Sequence, residues 1–168
     1  MITDIYYVIP EIFLSLSLMF LLILGVFNKK GSIIVYNLSL LILIISIPLI
    51  LNVPSDGEIL IFNESYKVDY LSNFIKILIV ISTLFVLLTS SQYLKSTKIF
   101  NIEYPILILS SILGMMVMVS SNDLIVFYIG LELQSLALYV LASFNRDNIL
   151  SSESGLKPRN SVIVPYNK

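Results

Sequence analysis

Five times in succession, this chain runs for 17 to 25 residues without a single ionised side chain, or with one. Ile12–Asn28 lies between Glu11 and Lys29, Gly31–Ser55 between Lys30 and Asp56, and Ile77–Leu94 between Lys76 and Lys95. Tyr104–Asn122 separates Glu103 from Asp123, and Leu124–Phe144 is interrupted only by Glu132. A helix needs about 20 predominantly apolar residues to cross the hydrocarbon of a bilayer. Spans are therefore expected near 9–28, 32–51, 70–93, 105–121 and 124–144, in an all-α integral membrane protein with five transmembrane helices and a membrane domain over 1–147. Composition agrees: 57% of the residues are hydrophobic and only 12% charged, against about 25% charged in soluble domains.

The punctuation fits these divisions. Pro10 and Pro105 fall where first-turn prolines are tolerated, because the missing N–H has no helical acceptor there. Pro48 is expected to kink the second span or mark its end. Residues 52–69 hold Pro54, Asp56, Gly57, Glu58, Asn63 and Glu64, which predicts an exposed acidic loop with a short strand or hairpin edge over Glu58–Phe62. Residues 148–168 form a polar tail expected to be disordered, surface-lying or a divergent end.

Lys29, Lys30, Lys95, Lys98, Arg146, Lys157, Arg159 and Lys168 all fall on one side of a five-span arrangement. Asp4, Asp56, Glu58, Glu64, Asp69 and Asp123 fall on the other. The positive-inside rule places the basic side inward and the N-terminus outward.

Several chemistries are closed to the chain itself. It has no cysteine and no histidine, which removes thiol chemistry, iron–sulfur ligation, haem ligation and the usual metal sites. A net charge of −1 offers no footprint for nucleic acid. Activity must rest on carboxylates, lysines and tyrosines within the membrane.

Three such charges stand out, and depth separates them. Glu11, in the first turn of the first span, reads as an interfacial carboxylate favoured by the helix dipole. Lys76, about two turns into the third, reads as a snorkelling side chain, with an ion pair to a neighbouring carboxylate as the functional alternative. Glu132 is too deep to reach water, and a charge at a helix centre costs at least about 2.5–3.5 kcal/mol. Tyr128, Ser135 and Tyr139 share its helical face. Burial raises a carboxyl's proton affinity and a nearby cation lowers it, so Glu132 is the expected proton-handling group, with Lys76 a weaker candidate.

The run Ser121–Asp147, with Gly130-Leu131-Glu132-Leu133-Gln134-Ser135 at its centre and Glu153-Ser154-Gly155-Leu156-Lys157 after it, closely resembles subunit 2 of the proton-pumping NADH–ubiquinone oxidoreductase, respiratory complex I. The resemblance covers about Ile9 to Lys157. It implies the first five helices of a fourteen-helix antiporter-like subunit built on inverted repeats, with transport sites near the midplane. It also implies that Glu132 pairs with a lysine of the family's seventh helix and that its charge is coupled to proton translocation. The chain would bind no cofactor of its own, and NADH, FMN, iron–sulfur clusters and ubiquinone would belong to the wider complex. Expected partners are other membrane-arm subunits, the lipid bilayer, and a second chain supplying the later helices.

Pro158–Lys168, twice broken by proline, does not provide the family's sixth helix. A split subunit, a truncated or unspliced frame, and a divergent short form each account for that end. The AT-rich residue usage and the family together suggest the mitochondrial inner membrane, with the tail in the matrix and the N-terminus in the intermembrane space. Two rival functions accompany this reading: a structural, assembly or non-functional form of the same subunit, and a component of a multi-subunit sodium/proton antiporter.

Overall fold

A computed structural model describes residues 2–27, 32–54, 57–96 and 102–143. The polar tail and the basic residues Lys29, Lys30, Lys98, Arg146, Lys157, Arg159 and Lys168 lie outside them. The described chain is helical, with one small hairpin: α1 (Ile2–Tyr7), α2 (Ile9–Phe27), α3 (Ser32–Leu51), β1 (Ile59–Ile61), β2 (Tyr66–Val68), α4 (Tyr70–Ser96), α5 (Glu103–Val119) and α6 (Leu124–Ala142). By length and composition α2, α3, the Tyr70–Ser91 part of α4, and α6 are each able to cross a membrane. At 17 residues α5 is shorter but apolar. Helix α3 runs through Pro48 to Leu51.

The shortest apolar helix is the central one. Helix α5 packs against α2, α3, α4 and α6, and buries Ile106, Ile108, Leu109, Ile112 and Met116. These meet Leu14 and Leu21 from α2, Val35, Ile42, Leu43 and Ile50 from α3, and Val80 and Leu87 from α4. Lipid tails are as apolar as these side chains, so close van der Waals fit and satisfied polar groups hold such helices together. Two buried hydroxyls of α3 behave accordingly. Ser39 Oγ donates to the Tyr36 carbonyl at 2.6 Å and Ser46 Oγ to the Leu43 carbonyl at 2.7 Å, each on its own helix. Tyr36 crosses from α3 to donate to the Leu87 carbonyl of α4.

Helix α6 packs mainly on α5, and a pair of glycines sets the separation. A Cβ on Gly114 would lie 2.7 Å from the Gln134 nitrogen, and one on Gly130 would lie 2.8 Å from the Gly114 oxygen. Backbone meets backbone there, which only glycine permits at both positions.

The acidic segment after α3 carries a two-stranded hairpin whose first strand falls within the expected Glu58–Phe62 edge, and its turn is exposed while part of it folds onto the bundle as a cap. β1 and β2 pair antiparallel with Ile59 opposite Val68 and Ile61 opposite Tyr66. Ile61, Tyr66 and Val68 are buried with Val53 in a second small core. Phe62, Asn63 and Glu64 turn the hairpin in the left-handed region, at φ of 53°, 55° and 68°. Such a conformation is disfavoured for residues other than glycine by about 1–2 kcal/mol each. The compensation comes from the α5–α6 link, which acts as a partial third strand. Lys67 N donates to the Ser120 carbonyl at 2.8 Å, and Asn122 N to the Ser65 carbonyl at 3.0 Å. The Asn122 amide side chain holds the Glu64 carbonyl at 2.7 Å. One cap thereby ties the α3–α4 connection to the head of α6.

Candidate functional site

The hairpin leads into α4 through Asp69. Ser72 N donates to the Asp69 carboxylate at 2.7 Å and Asp69 N to the Ser72 hydroxyl at 3.0 Å, a reciprocal N-terminal cap. Burial pushes the Asp69 carboxyl up, but the Ser72 hydrogen bonds and the Lys67 ammonium, 3.4 Å away, bring it below the ordinary value. Lys67 also pairs with Glu58 at 2.9 Å, which raises its own proton affinity. This network is on the outer surface of the cap.

Beneath the cap lies a different arrangement. Lys76, two turns into α4, points back into the bundle, and its Nζ stands 2.7 Å from Oε1 of Glu11 in the first turn of α2. Exposure is 1% for Lys76 and 5% for Glu11. Tyr66 of β2 closes the cluster. Its hydroxyl donates to the same Oε1 at 2.7 Å and accepts from Lys76 Nζ at 3.2 Å, while the ammonium sits 5.3 Å from the ring centroid. Burial first, and the Glu11 carboxylate second, push the phenol well above its usual range, partly offset by the Ser120 hydroxyl beside it. Glu11 Oε2 is buried and has no hydrogen-bond partner among the described residues.

Glu11 thus departs from its expectation as an interfacial charge, and Lys76 takes up the alternative of pairing with a carboxylate. That carboxylate is Glu11 and not Glu132. The signal available in the sequence was common depth: opposite charges lie near the outer ends of the first and third spans. Tyr66 had no comparable signal, since its place depends on hairpin closure.

The second site candidate occupies the far face of α6. Gly130 and Ala137 turn toward the bundle and are buried. Glu132, Tyr128 and Tyr139 are exposed on the opposite side, the tyrosines by 63% and 70%. Ser135 Oγ returns to the Glu132 carbonyl at 3.0 Å. The polar stripe therefore lies together on one face, but it looks outward from these helices and is apart from Lys76.

Comparison with known proteins adds what geometry alone does not. Residues 121–160, which contain Glu132 and the distinctive motif, match the family described as NADH:quinone oxidoreductase/Mrp antiporter, TM. Together with the apolar helical bundle, this match makes the chain similar to part of an antiporter-like membrane subunit. More particularly, the chain is a homologue of NADH-quinone oxidoreductase subunit N. It is 66% identical over 151 residues to the protein of that name from Pelagibacter ubique, covering 90% of this chain. It is 44% identical over 156 residues to that of Paramagnetospirillum magneticum and 43% over 151 residues to that of Bartonella bacilliformis, covering 92% and 89% of this chain. The chain spans about a third of the length of these relatives, 32%, 32% and 31% respectively. The relatives carry the bacterial designation N in place of the number 2.

Proposed function

We propose that this chain is a membrane-arm part of a proton-translocating NADH:quinone oxidoreductase, and that Glu132 is the protonatable group it contributes. The observation that carries the reading is the 66% identity to a subunit N across 90% of the chain, with the family match running through Glu132. Physical chemistry supports the same residue. A carboxylate midway along an apolar helix is costly facing lipid, and is retained where it meets a counter-charge, water or a proton. Tyr128, Ser135 and Tyr139 supply hydroxyls along its face.

In this reading the chain holds no redox cofactor, and NADH, FMN, iron–sulfur clusters and quinone are handled by other subunits. Its partners are further membrane-arm helices, which cover the outward stripe of α6. The membrane is a bacterial cytoplasmic one, following the bacterial relatives, in place of the mitochondrial inner membrane expected from residue usage and family. The ends of α2 at Phe27 and of α4 at Ser96 face the cytoplasm and the hairpin cap the outside.

An affinity tag on this chain tests membership. Extraction from native membranes in mild detergent should bring NADH:quinone reductase activity with the tag. Recovery of the tagged chain without that activity contradicts the assignment.

A structural reading is favoured by one observation, the outward exposure of Glu132 on a helix that packs mainly on α5. There Glu132 would hold a neighbouring helix without exchanging protons. Glu132→Ala would then lower the amount of assembled complex and leave turnover per complex unchanged. The sodium/proton antiporter reading predicts ion exchange without NADH, and the names of the relatives weigh against it.

A further inference from the structure

We propose that the groove between α4 and α6 binds one acyl chain of a membrane phospholipid, with the headgroup at the Tyr104 end of α5. The site stands on the shape and lining of the groove. Only its assignment to the cytoplasmic leaflet rests on the orientation proposed above.

The groove follows from how the helices pair. Helices α4 and α6 each pack on α5, but among the described residues they scarcely meet each other. A channel is left over α5, and its floor is a single stripe of that helix: Tyr104, Ile108, Ser111 and Met115 recur at helical spacing. Ser111 has the smallest side chain of the stripe and gives the channel its depth. Thr83 and Val86 of α4 form one wall, and Leu138 and Leu141 of α6 the other. Ile108 and Ser111 are buried on the floor, whereas Val86 and Leu138 are exposed at the rims, so the groove opens away from the bundle.

Its dimensions select the occupant. From Tyr104 to Met115, α5 rises about 16 Å at 1.5 Å per residue. That is about half the hydrocarbon thickness of a bilayer, the depth of one leaflet. The cavity holds about 340 Å³, which spread over that length gives a mean cross-section of about 20 Å². A helix, about 10–12 Å across with its side chains, is far too wide. A single hydrocarbon chain fits, and an unbranched one fits better than an isoprenoid, which its recurrent methyl branches widen.

The lining agrees with an apolar occupant. Ser82 Oγ and Thr83 Oγ1 both donate to the Ile79 carbonyl, at 2.9 and 2.8 Å. The hydroxyls of the α4 wall are thus turned back on their own helix and leave no donor for a polar ligand. Polarity gathers instead at the mouth. Tyr104 lies in the first turn of α5, and an aromatic ring with a polar tip favours the headgroup level. In the sequence, Lys95 and Lys98 about the end of α4 and Arg146 after α6 outnumber Glu103 and Asp147, a balance that attracts an anionic headgroup. Moving a chain from the bilayer into the groove gains no hydrophobic energy. Retention comes from close packing along the walls and from the charge at the mouth.

Photolabelling of the intact complex tests the site, in vesicles of phosphatidylethanolamine and phosphatidylglycerol in which some phosphatidylglycerol carries a diazirine on one acyl chain. Bulk lipid is washed away with mild detergent, the sample is irradiated, and labelled residues are mapped by mass spectrometry. A diazirine near the carboxyl end of the chain should label Tyr104 and Ile108, and one near the methyl end Ile112 and Met115. Ser111→Phe fills the floor and should abolish this labelling. Leu138→Trp narrows the groove from an exposed rim, leaves the buried core unaltered, and should reduce it. Label that leaves with the bulk lipid, or that falls on the same residues from both diazirine positions, overturns the proposal. So does labelling that Leu138→Trp leaves unchanged, or that an excess of quinone with an isoprenoid tail displaces. A groove that takes no label, because another helix covers it in the complex, overturns it as well. Proton pumping by Glu132→Gln bears on the proposed function alone, since the labelling does not depend on it.

Discussion

Lys76 Nζ and Glu11 Oε1 lie 2.7 Å apart, with neither side chain more than 5% exposed. The contact joins α4 to α2 at the end of the bundle covered by the hairpin, and Tyr66 bonds to both partners. A buried ion pair of this kind is a poor source of net stability, because desolvation offsets most of the attraction. Breaking it is another matter.

Lys76→Met should therefore destabilise by about 3–5 kcal/mol, since it leaves Glu11 buried without its counter-charge. Adding Glu11→Gln to the same chain should recover most of that loss. Thermal unfolding of the two variants in one detergent measures the difference. A double variant no more stable than Lys76→Met would show that the contact is not an isolated charge pair.

At the α5–α6 crossing, Gly130→Ala places a methyl group against the Gly114 oxygen and the Met118 nitrogen, both 2.8 Å from the ideal Cβ. These are backbone atoms and cannot turn aside, so the helices must separate. An overpacking cost of about 1–3 kcal/mol is expected, with α6 and its Glu132 face displaced. Reduced yield of folded protein relative to wild type checks this.

Acid should loosen the start of α4. Asp69 is held below its ordinary value, so the cap stabilises the fold above about pH 4 and is lost as pH falls through the lower folded value. Asp69→Ala should remove about 1 kcal/mol at neutral pH and flatten this acid dependence. The measurement is stability against pH for both forms; parallel curves would contradict the assignment.

Asn122→Ala removes the amide that holds the Glu64 carbonyl while leaving the Asn122 backbone donor in place. Faster amide exchange is predicted across 59–68 with little change in α2 or α3. Exchange at the unaltered rate would mean that the left-handed turn is maintained without the α5–α6 link.

The physical scale of each feature decided whether it was legible in the sequence. Uncharged intervals long enough to cross a bilayer revealed the main helices, because one property sustained over 20 residues needs no partner to be recognised. Glu132 stood out against its apolar helix for the same reason, and its stripe with Tyr128, Ser135 and Tyr139 followed from helical spacing alone. The three-residue strands were different. Their registry is secured by Ser120 and Asn122, more than fifty positions away in the chain, and no local pattern announces those bonds. Glu11 and Lys76 were visible individually, but pairing them required knowing that α2 and α4 come together under Tyr66.

The most direct test of the central claim is the ratio of protons translocated to electrons transferred by the assembled complex in sealed vesicles, with Glu132→Gln beside wild type. The account predicts a lower ratio in the variant, with the amount of assembled complex maintained. An equal ratio at equal assembly would contradict a proton-carrying role for Glu132.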